Sequence, residues 1–149
     1  MYVGEWREDK RHGTGRCEYA DGNTYNGEWK DDKRNGEGEC VYADQTVYDG
    51  EWKDDKKHGK GAYTDYGKVY VGEWKNDKMH GEGKYTYADG TIYDGEYKHG
   101  VFHGKGRYEF ANGNVYFGEW KDHKANGKGT CKFANGDIYN GEYENDARH

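Results

Sequence analysis

Apolar and polar residues alternate along most of this chain. In residues 25–30, Tyr, Gly and Trp occupy every second position, and Asn, Glu and Lys lie between them. The same alternation runs through residues 36–42. A period of two residues is typical of half-buried β-strands. Residues 31–35 are polar and predict a turn, so this stretch is predicted to form a β-hairpin.

The hairpin pattern recurs about every 23 residues along the whole chain. Each repeat opens with Tyr-x-Gly-Glu followed by Trp or Tyr, continues with Gly-x-Gly, and in most cases ends with Ala-Asp-Gly or Ala-Asn-Gly. Asp, Asn and Gly tolerate positive φ, so the last triplet predicts the turn into the next hairpin. The third repeat is one residue short, and we expect a tightened turn there. The repeats begin near residues 2, 25, 48, 70, 93 and 116, with a partial repeat from 139.

The two faces of the predicted sheet differ. One carries aromatic rows interleaved with glycines, whereas the other carries one Glu per repeat together with Lys, Arg and Thr. An aromatic face is unfavourable when left flat in water, and glycines give neighbouring rings room to lie over the strands. We therefore predict an all-β protein of thirteen strands, the last hairpin lacking its second strand. The strands would form an elongated single antiparallel sheet, curled into a trough with an aromatic-lined groove. Residues 1–149 would be one array, comparable to or part of a longer one.

The composition favours order and restricts the classes of partner. Charged residues make up 35% of the chain, which usually signals disorder, but 16 Tyr and 5 Trp supply apolar area. A net charge of −6 argues against nucleic acid as a partner, because nucleic-acid binding needs a basic surface. Three Cys without a Cys-x-x-Cys spacing predict an intracellular, cytoplasmic location.

Residues with catalytic or metal-binding chemistry are repeated too regularly to form one site. Equivalent positions of adjacent hairpins lie roughly 9.6 Å apart, whereas zinc ligands lie about 2 Å from the metal. The Glu row has the same spacing and is expected to pair with Lys or Arg across strands. We predict no catalytic, cofactor or metal residues, and a protein that is not an enzyme. The repeated residues are His12, His58, His80 and His103, and the inward-facing Cys17, Cys40 and Cys131, which we expect to be buried thiols.

Apolar residues give two candidate partner surfaces. The aromatic rows have two interpretations, a buried core or a partly open groove for an apolar segment such as an amphipathic helix. The candidate groove residues are Tyr25, Trp29, Tyr48, Trp52, Tyr70, Trp74, Tyr93, Tyr97, Tyr116 and Trp120. Apolar residues also stand where other repeats are polar, and these exposed candidates are Met79, Val101, Phe102 and Phe117.

The final partial repeat is a candidate for self-association. It contains Tyr139 and Tyr143 and is predicted to end in an unpaired strand. An unpaired strand is a template for pairing with another chain. We therefore expect a homodimer formed through a terminal hairpin.

The sequence phrases resemble the MORN (membrane occupation and recognition nexus) repeat. The resemblance rests on Tyr-x-Gly-Glu-Trp, His-Gly-x-Gly and Tyr-Ala-Asp-Gly, and it covers the whole chain. Departures are small, since Tyr97 and Tyr143 replace Trp, and Asn35 and Asn126 replace His. The resemblance implies hairpins stacked into an elongated sheet with a groove. The family includes cytoskeletal scaffolds, ciliary radial-spoke components, junctional membrane proteins, and modules attached to lipid kinases or methyltransferases, so it fixes fold better than role.

These observations lead to one expected function and two alternatives. We expect a non-enzymatic scaffold for protein–protein interaction or self-assembly, adjacent to the cytoskeleton or a membrane. The first alternative is a phospholipid-binding module, although the mixed Lys and Asp of each turn largely cancel the positive field that a lipid surface would need. The second alternative is a regulatory segment of a larger enzyme.

Overall fold

Every regular element of the computed structural model is a β-strand, and the structure describes residues 1–148. Fourteen strands follow one another in chain order as hydrogen-bonded neighbours in one antiparallel sheet. The prediction of an all-β sheet of tandem hairpins is confirmed. Among the described residues there is no helix that could cross a membrane. The strands are β1 (Tyr2–Arg7), β2 (Lys10–Glu18), β3 (Thr24–Lys30), β4 (Lys33–Val41), β5 (Val47–Lys53), β6 (Lys56–Asp65), β7 (Lys68–Lys75), β8 (Lys78–Thr86), β9 (Ile92–Lys98), β10 (Val101–Glu109), β11 (Val115–Lys121), β12 (Lys124–Lys132), β13 (Ile138–Glu144) and β14 (Ala147–Arg148).

The chain divides into two compact units. The first unit comprises Met1–Tyr66 and Glu73–Lys78. The second unit comprises Gly67–Gly72 and the chain from Met79 onward. Each unit has an aromatic core of its own.

Two-residue turns connect the strands of each hairpin. Between β3 and β4, Asp31 and Asp32 have φ values of 47° and 68°. Such a pair of positive φ values is typical of the type I′ turn, whose twist matches that of paired strands. The same pair occurs at Asn145 and Asp146, with φ values of 48° and 72°. The prediction of thirteen strands is therefore wrong, because this last turn brings Ala147–Arg148 back to pair with β13.

Short connections join consecutive hairpins. In the first connection, the Gly22 N–H donates to the Tyr19 carbonyl and the Tyr19 N–H donates to the Asn23 carbonyl. The connection between β6 and β7 consists of only Tyr66 and Gly67, with φ values of 43° and 87°. The tightened turn expected in the third repeat is therefore present.

Paired glycines let each repeat's Tyr lie flat over the sheet. Gly27 and Gly38 are partners in β3 and β4. A Cβ atom on Gly38 would lie 2.2 Å from the Tyr25 hydroxyl oxygen and about as close to its ring, so no side chain fits there. The Tyr25 hydroxyl donates to the Glu28 carbonyl at 2.8 Å, which fixes the ring in this position. The expectation that the glycines give room to the rings thus agrees with the packing.

A bulge in the hairpins explains the repeated Glu. The register of β3 and β4 shifts between Gly27 and Trp29. There the Glu28 carboxylate accepts the backbone N–H of Glu37, and in the next hairpin Glu51 accepts the N–H of Lys60. The expected side-chain pairing of this row with Lys or Arg is therefore corrected. The carboxylates stabilise backbone groups that the bulge leaves without a strand partner.

Aromatic rings form a ladder that is the core of each unit. In the first unit, the Tyr25 ring makes T-shaped contacts with Trp29 at 5.0 Å and with Trp52 of the next hairpin at 5.4 Å. Each T-shaped pair contributes about 0.5–1.5 kcal/mol beyond the burial of apolar area. The indole N–H of Trp52 also donates to the Gly38 carbonyl of the preceding hairpin at 2.9 Å. Within a unit, the ladder therefore joins neighbouring hairpins through side chains as well as through the sheet.

Candidate partner-binding surface

The ten predicted groove residues belong to this ladder and are buried. Tyr25, Tyr48 and Tyr93 have no exposed surface, and the most exposed of the ten, Trp74 and Trp120, are 7% exposed. Within each unit, a ladder Tyr such as Tyr48 or Tyr93 is covered by the Trp or Tyr of its own repeat and by that of the following repeat, which closes the row to solvent. The groove assignment is corrected accordingly. The ten are Tyr25, Trp29, Tyr48, Trp52, Tyr70, Trp74, Tyr93, Tyr97, Tyr116 and Trp120.

The exposed apolar candidates have different environments. Phe102 is 6% exposed and stacks on Tyr93 with ring centroids 3.8 Å apart, so its assignment as exposed is corrected. The reason is that β10 begins directly after the turn, so Phe102 is a strand residue that pairs with Tyr97 and faces the core. Val101 and Met79 are half-buried. Phe117 is 55% exposed, in agreement with its assignment.

The two residues proposed for self-association differ as well. Tyr143 is buried and makes a T-shaped contact with Tyr116 at 4.9 Å. It is therefore the last member of the second unit's ladder, and its ring is not a free docking group. Tyr139 is half-buried in β13.

A second aromatic layer, which was not among the predicted partner surfaces, lies beside the ladder at the ends of the hairpins. Its rings are half-buried or exposed, and in the second unit they contact one another, with Tyr85 and Tyr87 4.6 Å apart and Tyr108 and Phe110 also 4.6 Å apart. A periodic signal marks most of the layer, since an aromatic residue directly precedes Ala in five of the six closing phrases. The layer consists of Tyr19, Tyr42 and Tyr63 in the first unit and Tyr85, Tyr87, Tyr108, Phe110 and Phe133 in the second.

The second residue in the second strand of each hairpin determines whether a charged or an apolar side chain lies next to this layer. In β2, β4 and β6 it is Arg11, Arg34 or Lys57. In β8, β10 and β12 it is Met79, Phe102 or Ala125. The first unit therefore places a cation beside each of its rings. The second unit has an apolar side chain at three of the equivalent positions, and at the fourth Arg148 of β14 lies 5.4 Å from the Phe133 ring centroid.

The two arginines are held in the same way. Arg34 donates from Nε to Asp55 Oδ1 at 3.2 Å and from Nη2 to the Asp55 carbonyl at 3.0 Å. Its guanidinium lies 4.3 Å from the Trp52 ring centroid, a cation–π contact. Arg11 makes the equivalent bonds to Asp32. Each arginine is thus occupied by the turn of the next hairpin.

Lys57 has the same position but a different arrangement. Its backbone N–H donates to Asp77 Oδ1 at 2.8 Å, as the Arg34 N–H does to Asp55. Lysine has no guanidinium, however, and so cannot make the forked pair of side-chain hydrogen bonds that Arg34 makes. In residues 1–148 no hydrogen bond or ion pair reaches its Nζ atom. Instead Nζ lies among four rings, with centroids 5.3 Å away in Tyr42, 5.5 Å in Tyr48, 5.0 Å in Tyr63 and 5.1 Å in Trp74.

Burial shifts the ionisation of the groups around Lys57. Desolvation lowers the pKa of the Lys57 ammonium, and the Asp77 carboxylate opposes that shift. Desolvation also raises the pKa of the Tyr42 phenol and of the Cys40 thiol. Cys40 is therefore a protonated, buried thiol. Cys17 and Cys131 are also free and buried. The described residues contain no group of three or more His, Cys, Asp or Glu side chains that could hold a metal ion.

Comparisons with known proteins give a family match and likenesses to solved structures. The chain is similar to the TCP domain of SAS-4 (dCPAP) from Drosophila melanogaster, solved in complex with a proline-rich motif of Ana2 (dSTIL). The likeness has a TM-score of 0.48 at 12% identity and covers 89% of this chain and 85% of that one. No curated protein matches the chain.

The family match follows the hairpin periodicity. The MORN repeat profile matches six consecutive segments: residues 2–24, 25–47, 48–66, 70–92, 93–115 and 116–138. The short third segment is the repeat with the two-residue turn at Tyr66 and Gly67. With nearly every residue from 2 to 138 matched, the chain belongs to the MORN repeat family.

Proposed function

We propose that this protein is a non-enzymatic scaffold that binds a protein partner through the second aromatic layer. The observation that carries the proposal is the contrast between a closed ladder and a half-exposed layer beside it, repeated from hairpin to hairpin. Tyr and Arg side chains are enriched at the energetically dominant positions of protein interfaces, and this face presents both. The binding surface thus lies one row away from the groove residues predicted by sequence.

The arrangement of polar groups supports binding rather than catalysis. The repeated Glu carboxylates, such as Glu28, accept backbone N–H groups at the bulges. The carboxylates of Asp32 and Asp55 hold the arginines. These acids have structural partners in repeat after repeat, whereas a catalytic acid or base is expected at one prepared position.

The two units offer different chemistry to a partner. In the first unit, Arg34 and Lys57 lie beside Tyr19, Tyr42 and Tyr63, so the surface combines positive charge with phenol rings. In the second unit, Met79, Phe102 and Ala125 occupy three of the equivalent positions, and the one cation of the row, Arg148, lies beside Phe133. We therefore propose that acidic and aromatic groups of the partner bind the first unit, and that apolar groups bind the second.

Photo-crosslinking from defined positions tests this proposal. A benzophenone amino acid would replace Tyr42 in the first unit or Tyr87 in the second, each in the full chain expressed in cells. Val71 and Phe117 are matched controls, because both are 55% exposed and lie outside the second aromatic layer. We expect the same discrete protein adduct from Tyr42 and Tyr87 and not from the control positions.

Two results would overturn the proposal. One is an adduct pattern that is equal at Val71, Phe117 and the two layer positions, which would indicate non-specific contact. The other is the absence of any protein adduct from both Tyr42 and Tyr87 when a control position gives one, which would place the partner on the other face of the sheet.

A further inference from the structure

We propose that Lys57 is the specificity residue of the first unit and binds a carboxylate side chain of an acidic peptide segment. This inference rests on the proposed function, since it names the chemistry of the partner on the same surface. Two features support it: the contrast of Lys57 with Arg11 and Arg34, and the cavity beside Lys57.

The ammonium of Lys57 differs from the guanidinium groups of Arg11 and Arg34 because the fold does not use its donors. Arg11 and Arg34 each direct Nε and Nη2 at an Asp of the next hairpin. Lys57 keeps only the backbone part of that arrangement, through Asp77. An ammonium has three donors, and in the described part of the chain none of those on Lys57 has an acceptor. An incoming anion would therefore gain a charge-assisted hydrogen bond without breaking an existing one.

A cavity of about 360 Å³ opens at this cation. Tyr42 and Tyr63 form its aromatic walls, and they are also two of the four rings around Nζ. Asp44 lies at the same cavity, with its carboxylate accepting both the N–H and the hydroxyl of Thr46. The site thus combines a cation, flat apolar walls and a fixed acidic group.

This combination favours a carboxylate over a phosphate. Asp44 beside the cavity and Asp77 behind Lys57 oppose a second negative charge, so a monoanion fits better than a dianion. The methylene groups of an Asp or Glu side chain can pack against Tyr42 and Tyr63. The net charge of −6 also repels anionic membranes. An anionic group is therefore attracted only by a short-range contact with Lys57 itself.

The chain provides fold-compatible variants for a test. Lys57→Met places at this position the residue that the next repeat has as Met79, and therefore removes the charge without a foreign side chain. Lys57→Arg keeps the charge but supplies the Nε–H that would form the fork with Asp77, as Arg34 does with Asp55. Lys60→Met is the matched control, since Lys60 is an exposed lysine of the same strand.

The experiment follows the lysine side chains of the full protein by NMR after isotope labelling at Cε. The four rings shift the Lys57 ε-methylene signal away from those of exposed lysines, and Lys57→Met identifies it by its loss. The probes are pentaglutamate and pentaglutamine peptides, inorganic phosphate, and vesicles containing phosphatidylserine.

We expect saturable movement of the Lys57 signal with pentaglutamate, little movement with pentaglutamine, and weaker binding of phosphate. Loss of one charge-assisted contact should weaken pentaglutamate binding by about tenfold or more in Lys57→Met, and also in Lys57→Arg because its donors are occupied. Lys60→Met should bind as the parent protein does. Uniform movement of all lysine signals, or a response of Lys57 to phosphate or vesicles alone, would overturn the proposal.

Failure here is distinguishable from failure of the proposed function. If pentaglutamate leaves the Lys57 signal unchanged while Tyr42 still gives a specific crosslink, the surface binds a partner through other groups. If the Tyr42 crosslink is also absent but Tyr87 retains its adduct, partner binding is confined to the second unit. Loss of both crosslinks removes the proposed function itself.

Discussion

At the scale of single residues, Trp and Tyr at the same position of the ladder differ in whether their polar atom has a hydrogen-bond partner. Trp29, Trp52 and Trp120 each donate an indole N–H to a glycine carbonyl of the preceding hairpin. Tyr97 occupies the same position, is 3% exposed, and its hydroxyl has no hydrogen-bond partner. The sequence shows this replacement of Trp, but it does not show that the phenol oxygen ends among other rings.

We predict that Tyr97→Phe stabilises the protein by about 1 kcal/mol. The reason is that a buried hydroxyl without a partner carries a desolvation cost of about 1–3 kcal/mol, which phenylalanine removes at almost the same volume. The measurement is urea unfolding followed by circular dichroism. Tyr93→Phe is the control, because its hydroxyl donates to the Glu96 carbonyl at 2.7 Å, and it should destabilise by about 1 kcal/mol. Equal effects of the two substitutions would contradict the assignment of the Tyr97 hydroxyl as unpartnered.

The burial of Phe102 could not be predicted from its neighbours in the sequence. Its neighbours in the sequence, Gly100 and Val101, lie where other repeats have polar turn residues, and this suggested an exposed loop. Whether Phe102 points inward depends on where the two-residue turn ends, and that is set by the positive φ values of His99 and Gly100. An alternating pattern shows which face of the sheet a strand residue lies on only when the position of the turn is known.

At the scale of the hairpin, the sequence predicted the elements well and their internal register poorly. The period of two and the turn residues located strands such as β3 and β4. The bulge at Glu28 was not predicted, because a carboxylate that accepts a backbone N–H leaves no trace in the alternation of apolar and polar residues. The glycine positions, in contrast, were informative, since close approach of a ring is one of few reasons for a repeated glycine in a strand.

The close contact between Tyr25 and Gly38 gives a prediction for the hairpin. Gly38→Ala should destabilise the protein by about 3 kcal/mol or prevent folding, because its Cβ would overlap the Tyr25 ring in a packed core. Thermal unfolding measures the effect. Gly90→Gln is the matched control, because its repeat equivalent is Gln45 at φ 74° and nothing lies within 4 Å of a Cβ at Gly90. That control should cost about 1 kcal/mol or less. A mild effect of Gly38→Ala would mean that the Tyr25 ring can move away from the strand.

At the scale of the whole molecule, repetition separates what is structural from what is specific. Residues that recur in every repeat, such as the ladder Tyr and the bulge Glu, belong to the fold. Positions that vary in one row carry the individual chemistry, and the change from Arg11, Arg34 and Lys57 to Met79, Phe102 and Ala125 is the clearest case. The pattern along the chain reveals the repeats and single unusual residues, whereas this change becomes visible only when equivalent positions of the repeats are aligned.

The abundance of buried Tyr predicts that the molecule unfolds in alkali. Burial raises the pKa of the ladder residue Tyr116, and that of Tyr87 in the second aromatic layer, to about 12 from an ordinary value of 10.0. It also raises the pKa of the ladder tyrosines Tyr25 and Tyr93. Since the folded state holds the phenol protons more tightly than the unfolded state, this stabilisation is complete below pH 10 and is lost as the pH rises toward 12. Many tyrosines act together, so we expect phenolate absorbance and loss of β-sheet circular dichroism to change in one steep transition within this range. Gradual ionisation of most tyrosines at their ordinary pKa, with the β-sheet signal intact, would show that the rings of the ladder are accessible to water.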